Sequence, residues 1–183
     1  MSTLTRKSIK IKEKEFRVAI SSETIQEAVR TIAGRMNKEL EGKCPLFIAV
    51  LNGSFLFAAD LLKSITIDCE ITFVKLASYN GTSSTGIVKE LVGLSENIKD
   101  RTIVVLEDIV DTGITLESLF AQLKKQDPKE LKVAALLFKP EAYTKNIKVD
   151  YVGMEVKNEF LVGYGLDYDG LGRNYRDIYV EIK

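Results

Sequence analysis

The chain has 183 residues, of which 45% are hydrophobic and 28% are charged, a composition typical of one soluble globular domain. Lys plus Arg and Asp plus Glu number 26 each, so the formal net charge is zero, which argues against a protein that coats nucleic acid or an anionic membrane. The chain contains no histidine, which excludes histidine-based triads and most zinc chemistry, so a general base would have to be Asp, Glu, Lys, Tyr or Cys.

The first third of the chain passes from a charged start into alternating helix and strand patterns. Residues 1–20 hold no apolar core of a secretory signal, and no stretch of about 18 apolar residues occurs, so we expect a cytoplasmic protein without a membrane span. A helix is predicted from Ser21 or Ser22 to about Glu41, because apolar residues recur there at helical spacing behind an N-cap. The apolar run at 46–51 predicts a strand buried on both faces, and a helix follows from about 55.

The rest of the chain continues this alternation. Further strands are predicted at 70–77, 102–107, 131–138, 150–156 and 177–182. A helix is predicted from about 115 to 126, whereas residues 78–90, rich in Gly, Ser and Thr, predict a mobile loop. Strands that alternate with helices indicate one α/β domain over 1–183, a doubly wound, mostly parallel sheet with helices on both faces.

Three carboxylates and a Thr-Gly-x-Thr turn follow the strand predicted at 102–107. In open α/β sheets ligands bind beyond the carboxyl ends of the strands. The turn at 111–115 opens a helix, so its N–H groups and two threonine hydroxyls would hold one phosphate monoester, and the lysine of a P-loop is absent. Glu107 and Asp108 precede the turn, where carboxylates could accept hydrogen bonds from a sugar or hold Mg²⁺. The alternative, that these acids only cap the next helix, accounts for one acid but not for all three with the turn.

Residues 103–115, IVVLEDIVDTGIT, resemble the signature with which type I phosphoribosyltransferases bind 5-phosphoribosyl-1-pyrophosphate. The resemblance extends from VLNGSFLFAADLL through LLFKP to NEFLVGYGLDY, and these segments are similar to the hypoxanthine and hypoxanthine–guanine phosphoribosyltransferases. It implies the type I phosphoribosyltransferase fold, with a small hood from about 1–20 and 157–183. It also implies purine salvage, in which hypoxanthine, and guanine as well, would give IMP and GMP with release of pyrophosphate.

The resemblance assigns the ribose and purine contacts. Glu107 and Asp108 would bind the ribose hydroxyls, and Asp111 would be the catalytic residue, sharing the proton of purine N7 while N9 attacks the ribose carbon. The 5′-phosphate would be bound by the turn residues Asp111, Thr112, Gly113, Ile114 and Thr115. The purine would be bound by Lys139 at its 6-oxo group, by stacking on Phe160, by the backbone of Leu161, and by Asp167. Without the resemblance, Lys139 would be an ordinary strand end and Phe160 an ordinary core residue.

The resemblance also assigns the pyrophosphate side. Pyrophosphate would be bound by Leu51, Asn52 and Gly53, which form a loop with a non-proline cis peptide, and by Ser78, Tyr79 and Arg173. The cofactor would be Mg²⁺, held by Glu107, Asp108 and Asp167. Asn52 departs from the family, which commonly has Lys or Arg there, so one positive charge near the leaving group is missing. The loop at 78–90 would be a lid that excludes water, the alternative being a plain surface hairpin.

The expected partners are small molecules, phosphoribosyl pyrophosphate and a 6-oxopurine, with no nucleic acid and no membrane, and the resemblance implies a homodimer or homotetramer. A nucleotide-sensing regulator that binds RNA or DNA is the competing hypothesis. It would predict a basic face or an added DNA-binding domain and often the loss of the base at 111, whereas Asp111, Lys139 and Phe160 are all present, the net charge is zero, and we expect room for only one helix at the N-terminus. A pyrimidine or adenine phosphoribosyltransferase is a further alternative, against which the segments around Lys139 and Phe160 argue.

Overall fold

The computed structural model describes residues 8–79 and 88–182, with the side chains of 77–79 and 88–92 left out. Two sheets and three helices occur in this described part, and none of those helices is long and apolar enough to span a membrane. The strands are β1 (Ser8–Ile11), β2 (Lys14–Ile20), β3 (Leu46–Leu51), β4 (Glu70–Tyr79), β5 (Val88–Val92), β6 (Thr102–Val110), β7 (Glu130–Phe138), β8 (Tyr151–Glu155), β9 (Leu161–Val162) and β10 (Ile178–Glu181). The helices are α1 (Ser22–Glu39), α2 (Phe55–Ser64) and α3 (Ile114–Lys124).

The larger sheet has the order β5-β4-β3-β6-β7-β8. All neighbours are parallel except β5, which runs antiparallel to β4. The central strands are buried along almost their whole length, as expected for parallel strands covered on both faces. Because these strands are parallel, their carboxyl ends lie at one edge of the sheet, which is where the polar loops predicted from the sequence follow.

The helices cover both faces of this sheet, which confirms the doubly wound architecture. The helices α1 and α2 pack with Phe47, Ala49, Val104 and Leu106 in one hydrophobic cluster. Helix α3 packs in a second cluster on the opposite face, with the alternate residues of β3 and β6. Successive residues of a strand point to opposite faces, so an uninterrupted apolar strand supplies both clusters.

The smaller sheet is antiparallel, with the order β1-β2-β10-β9. It joins the two ends of the chain, since β2 pairs with β10 and β10 pairs with β9. Ile9, Ile11, Phe16, Val162 and Tyr179 form its own buried cluster. This sheet is the hood expected at about 1–20 and 157–183, and we use that name for it below. The assignment of 1–183 to one domain stays a prediction.

Three boundaries differ from the sequence prediction. Strand β6 runs to Val110 rather than to 107, because its pairing with β7 continues to Phe138, so Asp108 lies within the strand. Helix α1 ends at Glu39, because the amide of Leu40 still bonds to Met36 but the backbone of Leu40 has left the helical region. The predicted loop at 78–90 is shorter on both sides, since β4 continues to Tyr79 and β5 begins at Val88. Cross-strand pairing between Tyr79 and Val88 therefore replaces loop there, and the remaining residues 80–87 lie outside the described part.

Candidate active site

A cavity of about 230 Å³ opens at the carboxyl end of β6, and it is lined by Glu107 and residues 109–116. Helix α3 begins here behind Gly113, which has a φ of 82° and so takes the left-handed conformation that glycine adopts without strain. A Cβ at this position would lie 2.4 Å from the ring of Tyr143, so only glycine fits the turn as built. The first residues of α3 therefore line this cavity, and the amides at a helix N-terminus favour anions, so the assignment of the turn to a phosphate stays a prediction.

The loop after β7 supports the turn from outside. The carbonyl oxygen of Thr112 accepts hydrogen bonds from the amide and hydroxyl of Thr144, at 3.3 and 3.2 Å. Lys145 forms a 2.6 Å ion pair with Glu117 in the first turn of α3. These contacts support the turn at 111–115 from the loop after β7, and within the turn the amide of Ile114 donates to the Thr112 hydroxyl at 3.5 Å. Thr112, Ile114 and Thr115 are exposed at the cavity mouth.

Asp111 and Lys139 form an ion pair beside this cavity. The Lys139 ammonium lies 2.7 Å from Asp111 Oδ2 and also donates to Asn158 Oδ1 at 3.4 Å. The Lys139 side chain is only 8% exposed, whereas that of Asp111 is 43% exposed. A buried ammonium requires an acceptor, because an unpaired charge away from water is strongly unfavourable. The structure thus brings together the two residues predicted to read the purine edge, although they are 28 positions apart.

Glu107 and Asp108 diverge at the end of β6. Glu107 is buried and lines the cavity beside α3, whereas Asp108 lies on the other side, against Gly53. A Cβ on Gly53 would lie 1.8 Å from Asp108 Oδ2, so glycine is what allows this carboxylate to approach the loop after β3. Burial raises the pKa of Asp108 to about 6, although the amides of Ile109 and Asp108 itself and the Arg173 guanidinium oppose the rise.

The loop at 51–53 follows β3 and carries a cis peptide between Leu51 and Asn52, as expected from the sequence. Asn52 is exposed, and Ser54 closes the loop by donating its hydroxyl to the carbonyl oxygen of Val50 at 2.7 Å. Ser78 and Tyr79 lie at the carboxyl end of β4, which is the same edge of the sheet, and their side chains are outside the described part.

The hood contributes Asp167 and Arg173 to the same region. The Arg173 guanidinium forms a 2.7 Å ion pair with Asp167 Oδ1 and donates to the Gly165 carbonyl oxygen at 2.6 Å. The second oxygen of Asp167 accepts a 2.7 Å hydrogen bond from the amide of Gly170. The charges of Arg173 and Asp167 both act on the pKa of Asp108, so these three groups form one electrostatic cluster beside the loop at 51–53.

Phe160 and Leu161 lie at the start of β9. Phe160 is 42% exposed, although it belongs to an aromatic group in which its ring centroid lies 6.2 Å from that of Phe16 and 5.8 Å from that of Tyr168. Lys14 also lies 5.2 Å from the Phe160 centroid. Leu161 is buried within the hood. An exposed aromatic face held by other rings suits stacking on a planar ligand, so ordinary core packing does not describe Phe160.

The donor set is compatible with Mg²⁺, although not as a complete protein site. No group of three or more Asp, Glu, Cys or His side chains in the described ranges is arranged to hold a metal ion. Asp108 and Asp167 supply carboxylate oxygens on one side, while Glu107 faces the α3 cavity. Mg²⁺ is commonly held by one or two carboxylates together with water and substrate phosphates, so an ion that arrives with a phosphorylated ligand fits.

Sequence reasoning missed residues that act through the backbone or through distant contacts. Asn158 shares the Lys139 ammonium, and Gly165 lies against the Gly53 carbonyl, where an added Cβ would be 2.0 Å from that oxygen. The GYG pattern at 163–165 hints at unusual backbone conformations, and both glycines do have positive φ. No local signal could have told which distant loop they contact.

Comparisons with known proteins agree with this geometry. The family model of the phosphoribosyl transferase domain matches residues 21–169. The chain is 40% identical over 159 residues to the hypoxanthine-guanine phosphoribosyltransferase of Bacillus subtilis, covering 86% of this chain and 88% of that protein. It is 37% identical over 163 residues to that of Streptococcus pneumoniae, covering 88% and 89%. A crystal structure of a hypoxanthine-guanine phosphoribosyltransferase from Bacillus anthracis matches with a TM-score of 0.80 and 37% identity, over 91% of this chain and 96% of the other.

Proposed function

The chain belongs to the phosphoribosyl transferase domain family, and we propose that it transfers the 5-phosphoribosyl group of phosphoribosyl pyrophosphate to N9 of hypoxanthine or guanine. The resemblance inferred from the sequence is confirmed at the level of the family. The reaction is one of purine salvage, and it yields IMP or GMP and pyrophosphate. The observation that carries the choice of substrate is the Lys139–Asp111 ion pair beside the cavity at the start of α3.

The ion pair matches one edge of a 6-oxopurine. On that edge the 6-oxo group accepts a hydrogen bond and N7–H donates one. An ammonium offers only donors and a carboxylate only acceptors, so Lys139 serves the 6-oxo group and Asp111 serves N7–H. Adenine would instead point its 6-amino donor at the Lys139 ammonium, which leaves two donors facing each other. Asp111 then takes or shares the N7 proton as N9 forms its bond to the ribose carbon.

The cavity beside α3 would bind the 5′-phosphate of phosphoribosyl pyrophosphate. Asp111 is one of the residues that line it, which brings the base and the phosphoribosyl group to the same strand end. Glu107, which lines this cavity, and Asp108 would accept hydrogen bonds from the ribose hydroxyls. Phe160 offers its exposed ring face for stacking on the purine.

The pyrophosphate leaves toward the hood. Breaking the bond between the ribose and pyrophosphate leaves positive charge on the sugar and negative charge on the leaving group. Arg173 supplies a guanidinium fork for that negative charge, and the loop at 51–53 supplies backbone groups. Mg²⁺, when bound with the substrate, adds positive charge to the pyrophosphate, and Asp108 and Asp167 are the carboxylates that would hold it.

Further parts of the proposal rest on the family resemblance alone. Ser78 and Tyr79 would bind pyrophosphate at the carboxyl end of β4, and the following loop would close over the site. The protein would act in the cytoplasm as a homodimer or homotetramer. Asn52 lacks the positive charge common in the family, so the grip on pyrophosphate would depend more heavily on Arg173 and Mg²⁺ than in relatives with a basic residue there.

A base panel tests the proposal. Purified protein is mixed with phosphoribosyl pyrophosphate and Mg²⁺, and hypoxanthine, guanine, xanthine, adenine and uracil are offered separately while nucleotide formation is followed. We expect turnover with hypoxanthine and guanine, its loss when the metal is chelated, and no product from adenine or uracil. Product from adenine or uracil in place of a 6-oxopurine would overturn the assignment of Lys139 and Asp111.

A further inference from the structure

Tyr164 is a hood residue whose side chain leaves the hood and enters the main hydrophobic cluster. It stands between Gly163 and Gly165, and all three have positive φ, at 105°, 47° and 97°. The ring is 5% exposed and packs in the cluster that also holds α1 and α2. A non-glycine residue in the left-handed region is held there by its surroundings, so the position of this side chain has a structural reason.

That reason is a hydrogen bond to Asp60 on α2. The Tyr164 hydroxyl donates to Asp60 Oδ2 at 2.7 Å, and Gln26 of α1 donates to the same oxygen at 2.6 Å. Lys63 forms a 2.8 Å ion pair with the other oxygen. Partial burial raises the pKa of Asp60, but the hydrogen bonds from Lys63, Tyr164 and Gln26 outweigh it and hold the pKa below its ordinary value. Asp60 is therefore an ionised acceptor that ties the hood to two helices.

The hydrogen bond between Tyr164 and Asp60 lies directly behind the proposed pyrophosphate subsite, which consists of the loop at 51–53 and Arg173. Helix α2 begins at Phe55, immediately after the loop at 51–53. In the hood, Gly165 follows Tyr164 and packs so closely on the Gly53 carbonyl that a Cβ would lie 2.0 Å from its oxygen. The carbonyl oxygen of Gly165 in turn accepts from Arg173 at 2.6 Å. Displacing Tyr164 would therefore move Gly165, and with it both the loop at 51–53 and the Arg173 guanidinium.

We propose that Tyr164 and Asp60 are positioning residues that hold the two halves of the pyrophosphate subsite, the loop at 51–53 and Arg173, in register with each other. This inference rests on the proposed function and deepens it. Neither residue touches the substrate. Their effect is on the affinity for groups that carry pyrophosphate, and it leaves recognition of the purine unchanged, because in the described part of the chain the hydrogen bonds and ring contacts of Lys139, Asp111 and Phe160 are made with other residues.

Tyr151 provides a matched control for Tyr164. It too is a buried tyrosine whose hydroxyl donates to a carboxylate, Glu39 Oε2 at 2.9 Å on α1, but it lies on β8, away from the hood and the loop at 51–53. Tyr164→Phe and Tyr151→Phe each remove one oxygen atom from the same kind of contact. Both variants should fold, and both should lower Tm by a few degrees, since each loses one hydrogen bond.

The test compares the two variants by calorimetric binding of Mg²⁺-pyrophosphate and by KM. We expect Tyr164→Phe to weaken pyrophosphate binding and raise KM for phosphoribosyl pyrophosphate by up to about tenfold, because only part of the free energy of the lost hydrogen bond is transmitted to the subsite. Its KM for hypoxanthine should stay unchanged, and Tyr151→Phe should change neither constant. Asp60→Ala should have at least the effect of Tyr164→Phe, because it also removes the contacts with Gln26 and Lys63, and adding Tyr164→Phe to it should change little further.

The outcomes are separable. Equal effects of Tyr164→Phe and Tyr151→Phe, confined to Tm, would overturn the inference, as would an equal rise in KM for both substrates. Wild-type protein that binds pyrophosphate but makes no nucleotide from any base would refute the proposed function. Even then, the ratio of pyrophosphate affinities between the two variants would decide the role of Tyr164.

Discussion

The turn at 111–115 and the hood loop at 163–173 face the same site but are built in different ways. The turn is a contiguous stretch between β6 and α3, and its shape follows from one glycine and the start of a helix. The hood loop is shaped by distant groups, since Gly165 lies against Gly53 and Tyr164 bonds to Asp60. The difference teaches that the phosphate side depends on local chemistry, whereas the pyrophosphate side depends on how the hood sits on the main sheet.

The largest expected effect is on the local side, at Asp111. Asp111→Asn keeps the shape of the side chain but removes the base, so kcat should fall by about 10² to 10⁴ with hypoxanthine. Steady-state rates at saturating substrates measure this. Glu27→Gln is the control, since it neutralises an exposed carboxylate that is paired with Arg30 on α1, outside the site, and it should keep kcat. Equal losses in the two variants would mean that the loss at Asp111 is not specific to its position.

The next effect concerns the close approach of Gly165 in the hood loop to the Gly53 carbonyl. Gly165→Ala would push a Cβ into the Gly53 carbonyl at a φ of 97°, so the free energy of unfolding should fall by roughly 2 to 4 kcal/mol. Gly170→Ala is the control, because its φ is 83° but nothing lies within 4 Å of the added atom. The free energy of unfolding of Gly170→Ala should fall by only about 1 kcal/mol, the cost of placing alanine in the left-handed conformation. Urea denaturation compares them, and equal losses would show that the close approach to Gly53 has no energetic weight.

A smaller effect tests the geometry of Arg173. Lysine keeps the charge but cannot both pair with Asp167 and donate to the Gly165 carbonyl in a fixed fork. Arg173→Lys should therefore weaken Mg²⁺-pyrophosphate binding about tenfold while KM for hypoxanthine stays constant. Arg176→Lys, at an exposed arginine three positions on, is the control and should bind pyrophosphate as the wild type does. An equal loss of pyrophosphate binding in Arg176→Lys would contradict the assignment of the guanidinium role to Arg173.

The smallest effect lies at Asp108, where the two regions meet. Its pKa is about 6 in the folded protein, against an ordinary value of 3.8. Between these values the folded state holds the proton and the unfolded state does not, so stability falls as pH rises through the window. In metal-free buffer, the free energy of unfolding of Asp108→Asn should therefore rise relative to that of the wild type as the pH increases from 4 to 6. The change should be on the order of 1 kcal/mol after allowing for partial exposure.

Asp60 supplies the control of opposite sign. Its pKa is held below the ordinary value, so its contribution to stability is present at neutral pH and is lost as pH falls through the folded pKa. Asp60→Asn should therefore be less stable than the wild type at pH values above the folded pKa of Asp60. In acid the two proteins should become equally stable. If the pH profiles of unfolding of both variants ran parallel to that of the wild type, the electrostatic description of the two sites would be wrong.

These contrasts explain how far the sequence could be interpreted. The strand at 46–51, the doubly wound sheet and the helix behind Gly113 follow from apolar runs and turn residues, which act over a few positions. The sequence assigns both Lys139 and Asp111 to the purine, but it does not predict the ion pair between them. That contact forms because adjacent parallel strands bring together residues far apart in the chain. The pairing of β5 with β4 in the larger sheet, the roles of Gly165 and Tyr164, and the side of the sheet that Glu107 faces depend on long-range packing, which no local pattern contains.

The most direct test of the central claim is to follow IMP and pyrophosphate together, over time, from hypoxanthine, phosphoribosyl pyrophosphate and Mg²⁺. If the ion pair at 111 and 139 places the base while the hood side holds the leaving group, the two products should appear in a one-to-one ratio. Pyrophosphate released without IMP would mean that the site lets water attack the sugar, and the absence of both products from a protein that binds both substrates would contradict the account.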